Sequence, residues 1–279
     1  MILHRHIVNV PSRRINIRPV GDLQIGESGF REDLWKKWKR ETIEDKTSLI
    51  IGMGDYTDRF RPTIDKKLRQ VLVTDPSAHI EFDELIMKEI QGIAEEFKPF
   101  KGRIIGLHSG HHEHTFYSGV NSVQYLCQLL GVKYLGFVAM VQLILRRGKG
   151  SHSIDIFSTH GCGGASLINS DLAKLERTIM PYWDADVFLR GHSTKAYVVD
   201  GHPLNCLSSN RGNGELSIQR KKRVLVNTGG FMEGYVQGQT SYVEQANMPP
   251  CALGWCTVGI HMPDSKEEKL RINAYATTE

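Results

Sequence analysis

The sequence predicts an α/β protein, and three observations carry that reading. Short apolar runs at residues 48–53, 103–107, 154–159, 186–190 and 224–228 are too brief for helices and give way to a glycine, an acid or a histidine. Amphipathic stretches at helical spacing lie between several of these runs. Nothing in the chain repeats, and no low-complexity linker divides it. Continuous apolar runs of this length read as strands buried on both faces, and the C-terminal ends of such strands are where α/β sheets bind ligands.

Each element has its own justification. Residues 32–46 are charged but carry Trp35 and Trp38, which read as a packing stripe on a helix. Residues 82–97 place Leu85, Ile86, Ile90, Ile93, Ala94 and Phe97 at helical spacing, and residues 120–130 and 166–179 also read as helices. Residues 140–147 and 152–158, joined through Gly148-Lys149-Gly150, read as a β-hairpin. From Ala196 onward the chain is strand-rich, with expected turns at Asp200-Gly201 and Asn213-Gly214. The default organisation is a single domain over residues 1–279.

Composition bounds the function. Hydrophobic residues make up 40% and charged residues 24%, ordinary for a soluble globular protein, and the net charge of +4 does not by itself argue for nucleic acid. The basic run Arg220-Lys221-Lys222-Arg223 reads as a charged turn entering a strand in preference to a phosphate-backbone contact. The 5 cysteines form no Cys-x-x-Cys pair, which fits a reduced, cytoplasmic protein. No apolar run reaches the ~18–20 residues of a membrane span, and Met-Ile-Leu-His-Arg-His lacks a signal-peptide core, so no membrane association is expected.

The strand-end residues carry the chemistry. In order they are Asp22, Asp55 with Asp58, His111-His112-Glu113, His160 and His192. Singly, each has a plain structural reading as a cap, a core histidine or a turn. Delivered together to one end of successive strands, these acids and imidazoles suit a carboxylate-bridged pair of transition metals. Other patterns fail. His112-Glu113 would open a His-Glu-x-x-His zinc motif, but Phe116 stands where the second histidine is needed. Gly148-Lys149-Gly150 lacks the rest of a phosphate-binding loop, and His160 with Cys162 is too close in sequence for a nucleophilic pair. His4, His6, His79, His152, His202 and His261 read as structural or surface residues, with His114 and His202 able to fringe a site.

Taken as a string, Gly21-Asp22-Leu23-Gln24, Gly54-Asp55-Tyr56-Thr57-Asp58, Gly110-His111-His112-Glu113, Thr159-His160-Gly161 and Gly191-His192-Ser193-Thr194 resemble the motifs of calcineurin-like metallophosphoesterases. The resemblance spans residues 22–194, and Thr228-Gly229-Gly230 adds a familiar turn after a strand. It implies a four-layer αββα sandwich of two mixed β-sheets flanked by helices. It also implies Asp55 as a bridging ligand, one metal site of Asp55, His111, His160 and His192, and another of Asp22, Gln24, Asp55 and Thr194. Gln24, His111 and Thr194 depart from the family's His, Asn and His. The first departure and the last leave the Asp22 site with oxygen ligands only, which suit Mg²⁺ or Mn²⁺ better than softer metals.

The cofactor implied is one or two divalent ions, Mn²⁺ first, with Mg²⁺, Fe, Zn²⁺ or Ni²⁺ as alternatives. The chemistry implied is hydrolysis of a phosphoester, a phosphodiester above all, by in-line attack of metal-activated water, with His112 as general acid oriented by Asp58. Arg59, in Tyr56-Thr57-Asp58-Arg59, is similar to the phosphate-gripping arginine of Ser/Thr protein phosphatases. The competing readings are a degenerate scaffold that binds partners, a nuclease acting on DNA or RNA, and a protein phosphatase. The sequence names neither the substrate nor the oligomeric state.

Overall fold

In a computed structural model of the chain, the residues described are 1–58, 70, 72–163, 170–209, 216–245, 247, 249–263 and 269–279. The first half contains β1 (Ile2–Asn9), β2 (Arg14–Val20), α1 (Glu32–Glu44), β3 (Ser48–Gly52), α2 (Pro76–Phe97), β4 (Ile104–His108), α3 (Ser122–Leu130) and β5 (Tyr134–Gly136). The second contains β6 (Val138–Arg147), β7 (Gly150–Thr159), α4 (Ser170–Thr178), β8 (Val187–Arg190), β9 (Ala196–Ser209), β10 (Leu216–Gly230), α5 (Tyr242–Gln245), β11 (Gly254–His261) and β12 (Arg271–Thr278). The protein is mixed α/β.

The strands hydrogen-bond in the order β1-β6-β7-β8-β10-β11-β2-β3-β4-β5, with β9 on β10 and β12 on β11. The join is narrow. Only the last residues of β10, Gly229 and Gly230, pair with Trp255 and Gly254 at the start of β11. Strands β2, β3, β4 and β5 run parallel, as do β7, β8 and β10, so each half presents a row of C-terminal strand ends.

Side-chain alternation explains why the central runs are apolar throughout. In β3, Leu49 and Ile51 enter one core cluster while Ile50 enters another. The same division separates Val187 and Leu189 from Phe188, and Val224 and Val226 from Leu225. Period-two alternation therefore sends each strand into two cores, and every position must be apolar. The cluster shared by the two strand rows holds Ile15, Ile51, Val141, Ile156, Val226 and Val258 among others. A second cluster packs α1, α2 and α3 onto β3 and β4 through Trp35, Trp38, Ile86, Ile90, Phe97 and Leu126. A third packs α4 onto β7 and β8 through Leu172, Leu175, Phe157 and Phe188. Trp35 and Trp38 form the expected stripe, stacked at 5.1 Å and both buried.

The structure departs from the sequence reading in four places, each with a physical cause. Helix α2 begins at Pro76, because Asp75 caps it through hydrogen bonds from the Ser77 and Ala78 amides and proline at the first position needs no donor. On that helix Leu85 is exposed, since the buried stripe runs Asp83, Ile86, Ile90, Ile93, Ala94 and Phe97. Asp200-Gly201 is not a turn: both lie inside β9, where one extra residue opposite Lys221–Arg223 makes a bulge beside Pro203. The basic run at 220–223 lies inside β10 and is no turn either. The expected turn at Asn213-Gly214 falls outside the described residues, as does the start of the expected helix at 166–179.

Asp45 closes α1 and ties it to the sheet. Its carboxylate accepts from Asn16 Nδ2 at 2.6 Å, Thr47 N at 3.0 Å, Thr47 Oγ1 at 2.6 Å and Ser48 Oγ at 2.6 Å. Burial pushes this carboxyl up, but the bonds from Ser48, Thr47 and Asn16 outweigh it and hold the pKa at about 2. Replacing Asp45 by Ala is expected to lower stability by about 1–3 kcal/mol at neutral pH. The folded-state pKa lies below the unfolded value of about 3.9, so this contribution is complete above that pH and is lost as pH falls towards 2. Urea titrations of wild type and variant should differ at pH 7 and converge near pH 2. Gly92, on an open face of α2 where an added methyl would meet nothing within 4 Å, is the opposite case. Gly92→Ala is expected to raise stability by about 0.5–1 kcal/mol in the same titration.

Candidate metal centre

The two rows of strand ends bring the expected residues together. Asp22 and Gln24 follow β2, Asp55 follows β3, His111 and His112 follow β4, His160 follows β7, and His192 and Thr194 follow β8. Backbone hydrogen bonds lace these loops: Asp22 N donates to Gly54 O at 2.9 Å and Gln24 N to Asp55 O at 3.1 Å. The His192 amide donates to Asp22 Oδ2 at 2.8 Å, across the join between the rows.

The backbone here is strained. Among the described residues, the non-glycine positions at positive φ are Asp22 (49°), Gln24 (49°), Asp55 (51°), His192 (74°), Thr194 (53°) and Asn247 (50°). All but the last are candidate ligand positions. For a β-branched residue such as Thr194 this region is a genuine outlier, and residues so held cluster at functional sites. The unusual turns persist at Gln24 and Thr194, where the side chains depart from the resembled pattern.

Asp55 is the centre of the arrangement. Its Oδ1 accepts from the His111 amide at 2.7 Å and the His112 amide at 3.1 Å, while Oδ2 faces His160 Nε2 at 3.2 Å. The His160 ring is fixed from behind by Nδ1, which donates to Met53 O at 2.6 Å when it carries the proton. Close approach requires glycine at 110, because a Cβ there would stand 1.8 Å from Asp55 Oδ1. One ligand atom from each of Asp55, His111, His160 and His192 lies within 4.8 Å of all the others. The three imidazole rings crowd together, with centroids 4.5 Å apart for His111–His192, 4.9 Å for His111–His160 and 5.2 Å for His160–His192.

Electrostatics follow from this crowding. Burial opposes charge on both members of the Asp55–His160 pair. Their mutual attraction prevails, so the carboxyl is held below its usual range and the imidazole above its own. His192 is pushed down to about 4 by burial and by the neighbouring His160 and His111 rings, and His111 is lowered by burial and His160. Burial raises the Asp22 carboxyl, with Asp55 adding to the effect. His111 and His192, neutral and each with a nitrogen lone pair, stand beside the ionised Asp55 carboxylate, and His160 completes a donor set for a divalent transition metal once its Nε2 proton is given up.

The second expected set is weaker in donors but close at hand. Gln24 is buried and its Oε1 has no hydrogen-bond partner, whereas Thr194 Oγ1 stands 3.7 Å from Cys251 Sγ. Asn227 holds the Thr194 turn, its Nδ2 donating to Ser193 Oγ at 2.6 Å and Lys195 O at 2.5 Å.

His112 and Asp58 meet as expected, with His112 Nδ1 3.0 Å from Asp58 Oδ1, the ring half-buried and the carboxylate buried. Glu113 does a different job: it accepts from Gly110 N at 2.9 Å and Ser122 Oγ at 2.8 Å, tying the loop to α3. Burial pushes its pKa up to about 7 despite those bonds. His114 turns away onto Asp83 Oδ1 at 2.6 Å, and His202 lies at the surface beside Glu176 at 3.4 Å, so neither fringes the centre. His108 is a core histidine, bonded to Gly136 O and Ser158 Oγ, both at 2.8 Å. Arg59 lies outside the described residues.

No protein-family model matches the chain, and no curated protein matches it. Among solved structures, Vps29 from Chaetomium thermophilum is similar at 10% identity and a TM-score of 0.37, covering 96% of this chain and 97% of that one. A cyclic-peptide complex of the same protein gives 12% and 0.32. A 5'-nucleotidase precursor from Thermus thermophilus gives 11% and 0.37, covering 95% of this chain and 55% of that one. Likenesses this distant do not bear on activity. The chain resembles calcineurin-like metallophosphoesterases in the order of its motifs and in the residues its strand ends bring together.

Gly110→Ala is the sharpest test of the Asp55 geometry. The added methyl must displace Asp55 or the 109–114 loop, and a loss of about 1–3 kcal/mol in urea unfolding is expected.

Proposed function

We propose that the chain is a metal-dependent phosphoesterase, with phosphodiesters as the favoured substrates. The observation that carries this reading is the convergence of Asp55, His111, His160 and His192 within 4.8 Å, on the same loops that hold the His112–Asp58 pair. The donor set fits a divalent transition metal, with Mn²⁺ the first choice. A second ion would draw on Asp22, Asp55, Gln24 through its orphaned buried Oε1, and Thr194. A divalent cation held by these residues supplies positive charge for the developing phosphoryl oxygens and acidifies water.

The chain's own residues supply the rest. Asp58 faces His112 Nδ1 and orients the ring, leaving Nε2 to give a proton to the departing alkoxide. Asp55 is held in place by the His111 and His112 amides, so the loop that carries the acid is tied to the carboxylate at the centre. Arg59 would grip phosphate. The three core clusters support the four-layer αββα arrangement within a single domain, and the chain is read as cytoplasmic. No described helix is long and apolar enough to cross a membrane.

A second reading, a degenerate scaffold that binds partners, is favoured by the amide and hydroxyl at Gln24 and Thr194. Three residues of the basic stretch are engaged within the chain, which weighs against the nuclease reading. Arg223 donates to His202 O and Met180 O, Lys221 pairs with Asp184 and Asp186, and Lys222 pairs with Asp200.

With Mn²⁺, the purified protein is expected to hydrolyse bis-p-nitrophenyl phosphate. His112→Ala should lower kcat by about 10²–10⁴, and Asp55→Asn should abolish the metal stimulation. Wild type without this activity, or variants equal to it, would overturn the catalytic reading. Elemental analysis then distinguishes the scaffold, in which Asp55→Asn would leave the metal content after dialysis unchanged.

A further inference from the structure

We infer a separate metal site, formed by His79, Asp83 and His114, that clamps the 109–114 loop to helix α2. The inference is independent of the phosphoesterase reading. His79 and Asp83 lie one helical turn apart on α2, so their side chains share a face. His114 reaches them from the loop after β4. One ligand atom from each of the three residues lies within 4.8 Å of the others.

The details suit a cation better than a simple hydrogen-bonded triad. Asp83 Oδ2 is already engaged by the Tyr117 amide at 2.7 Å, which fixes the carboxylate and directs Oδ1 towards both imidazoles. His114 Nε2 stands 2.6 Å from Oδ1. His79 Nε2 is buried, makes no hydrogen bond and stands 3.5 Å from the same oxygen. Ligand atoms around a tetrahedral zinc ion at about 2.0–2.1 Å lie roughly 3.3 Å apart. The His79–Asp83 spacing meets that value, and the His114 ring needs to withdraw by under about 1 Å to admit the ion. Two imidazoles and one carboxylate form a zinc-type donor set, with a water for the remaining position.

The surroundings are those of a structural tether. Phe82 and Phe116 pack on the His114 ring at 5.3 Å, and Tyr117 lies against His79 at 5.6 Å. His114 is also locked to α3, its amide donating to Ser122 Oγ at 3.2 Å and its carbonyl accepting from Ser122 N at 2.8 Å. A cation here would join α2, the loop and α3 at a point two residues from His112. Binding should therefore stiffen the loop without contributing to phosphate chemistry.

The test is zinc stoichiometry of the full chain after dialysis, measured for wild type, His79→Gln and His192→Ala. His79→Gln should retain one equivalent of Zn²⁺ fewer per chain than wild type, with a smaller zinc-induced rise in Tm. His192→Ala should weaken the Asp55 centre and leave the His79 equivalent in place, so the two sites fail separately. Equal zinc content in wild type and folded His79→Gln would overturn the inference and leave a hydrogen-bonded triad. Should circular dichroism show that His79→Gln does not fold, the His192→Ala chain is titrated with Co²⁺ and its backbone amide signals are followed by NMR. Paramagnetic shifts centred on the His79, His114 and Tyr117 amides at one equivalent of Co²⁺ support the site, and amide signals there that Co²⁺ leaves unmoved overturn it.

Discussion

The carboxylate of Asp55 is the point on which the architecture turns. It ends β3 in a left-handed turn, receives two amides from the loop after β4 and faces the imidazole that ends β7. Three strands from two different rows are thus held in register by one side chain. A buried carboxylate is tolerable only when its charge is compensated, and here the compensation comes from the elements it must hold together. The same few contacts therefore serve folding and site assembly. This explains why Gly110 has no room for a side chain and why His160 is fixed from behind by a main-chain carbonyl.

Much of this is legible in the sequence because the strands are buried on both faces. A run such as Leu49-Ile50-Ile51 announces itself when every position must be apolar, and the residues just beyond it then stand out as polar against apolar. Asp55, His111, His160 and His192 are visible for that reason, and the structure gathers them into one cluster. The start of helix α2 is harder to see because it depends on a cap. Asp75-Pro76 carries that signal, but the hydrophobic spacing begins only later. Its His79 reads as structural in the sequence, since a histidine and an aspartate one turn apart gain meaning only once His114 is seen to reach them.

The long β9–β10 ribbon is the least legible element. In its outer part β10 is exposed at every position from 216 to 220, Leu216 and Ile218 included, so no core-facing side marks it as a strand there. Arg220 to Arg223 resemble a turn for the same reason. In the structure, ladder hydrogen bonds to β9 decide the conformation, and pairing with carboxylates and main-chain carbonyls absorbs the charge of Lys221, Lys222 and Arg223.

The left-handed turns at Gln24 and Thr194 separate the shape of the centre from its contents. The main chain at these positions takes the same strained form as at Asp22, Asp55 and His192, although the side chains offer an amide and a hydroxyl. Main-chain geometry is costly to rebuild, whereas a side chain on a fixed turn changes with a single codon. The turns act as sockets whose fittings can be exchanged, so the donors offered at this site can change while the scaffold stays still.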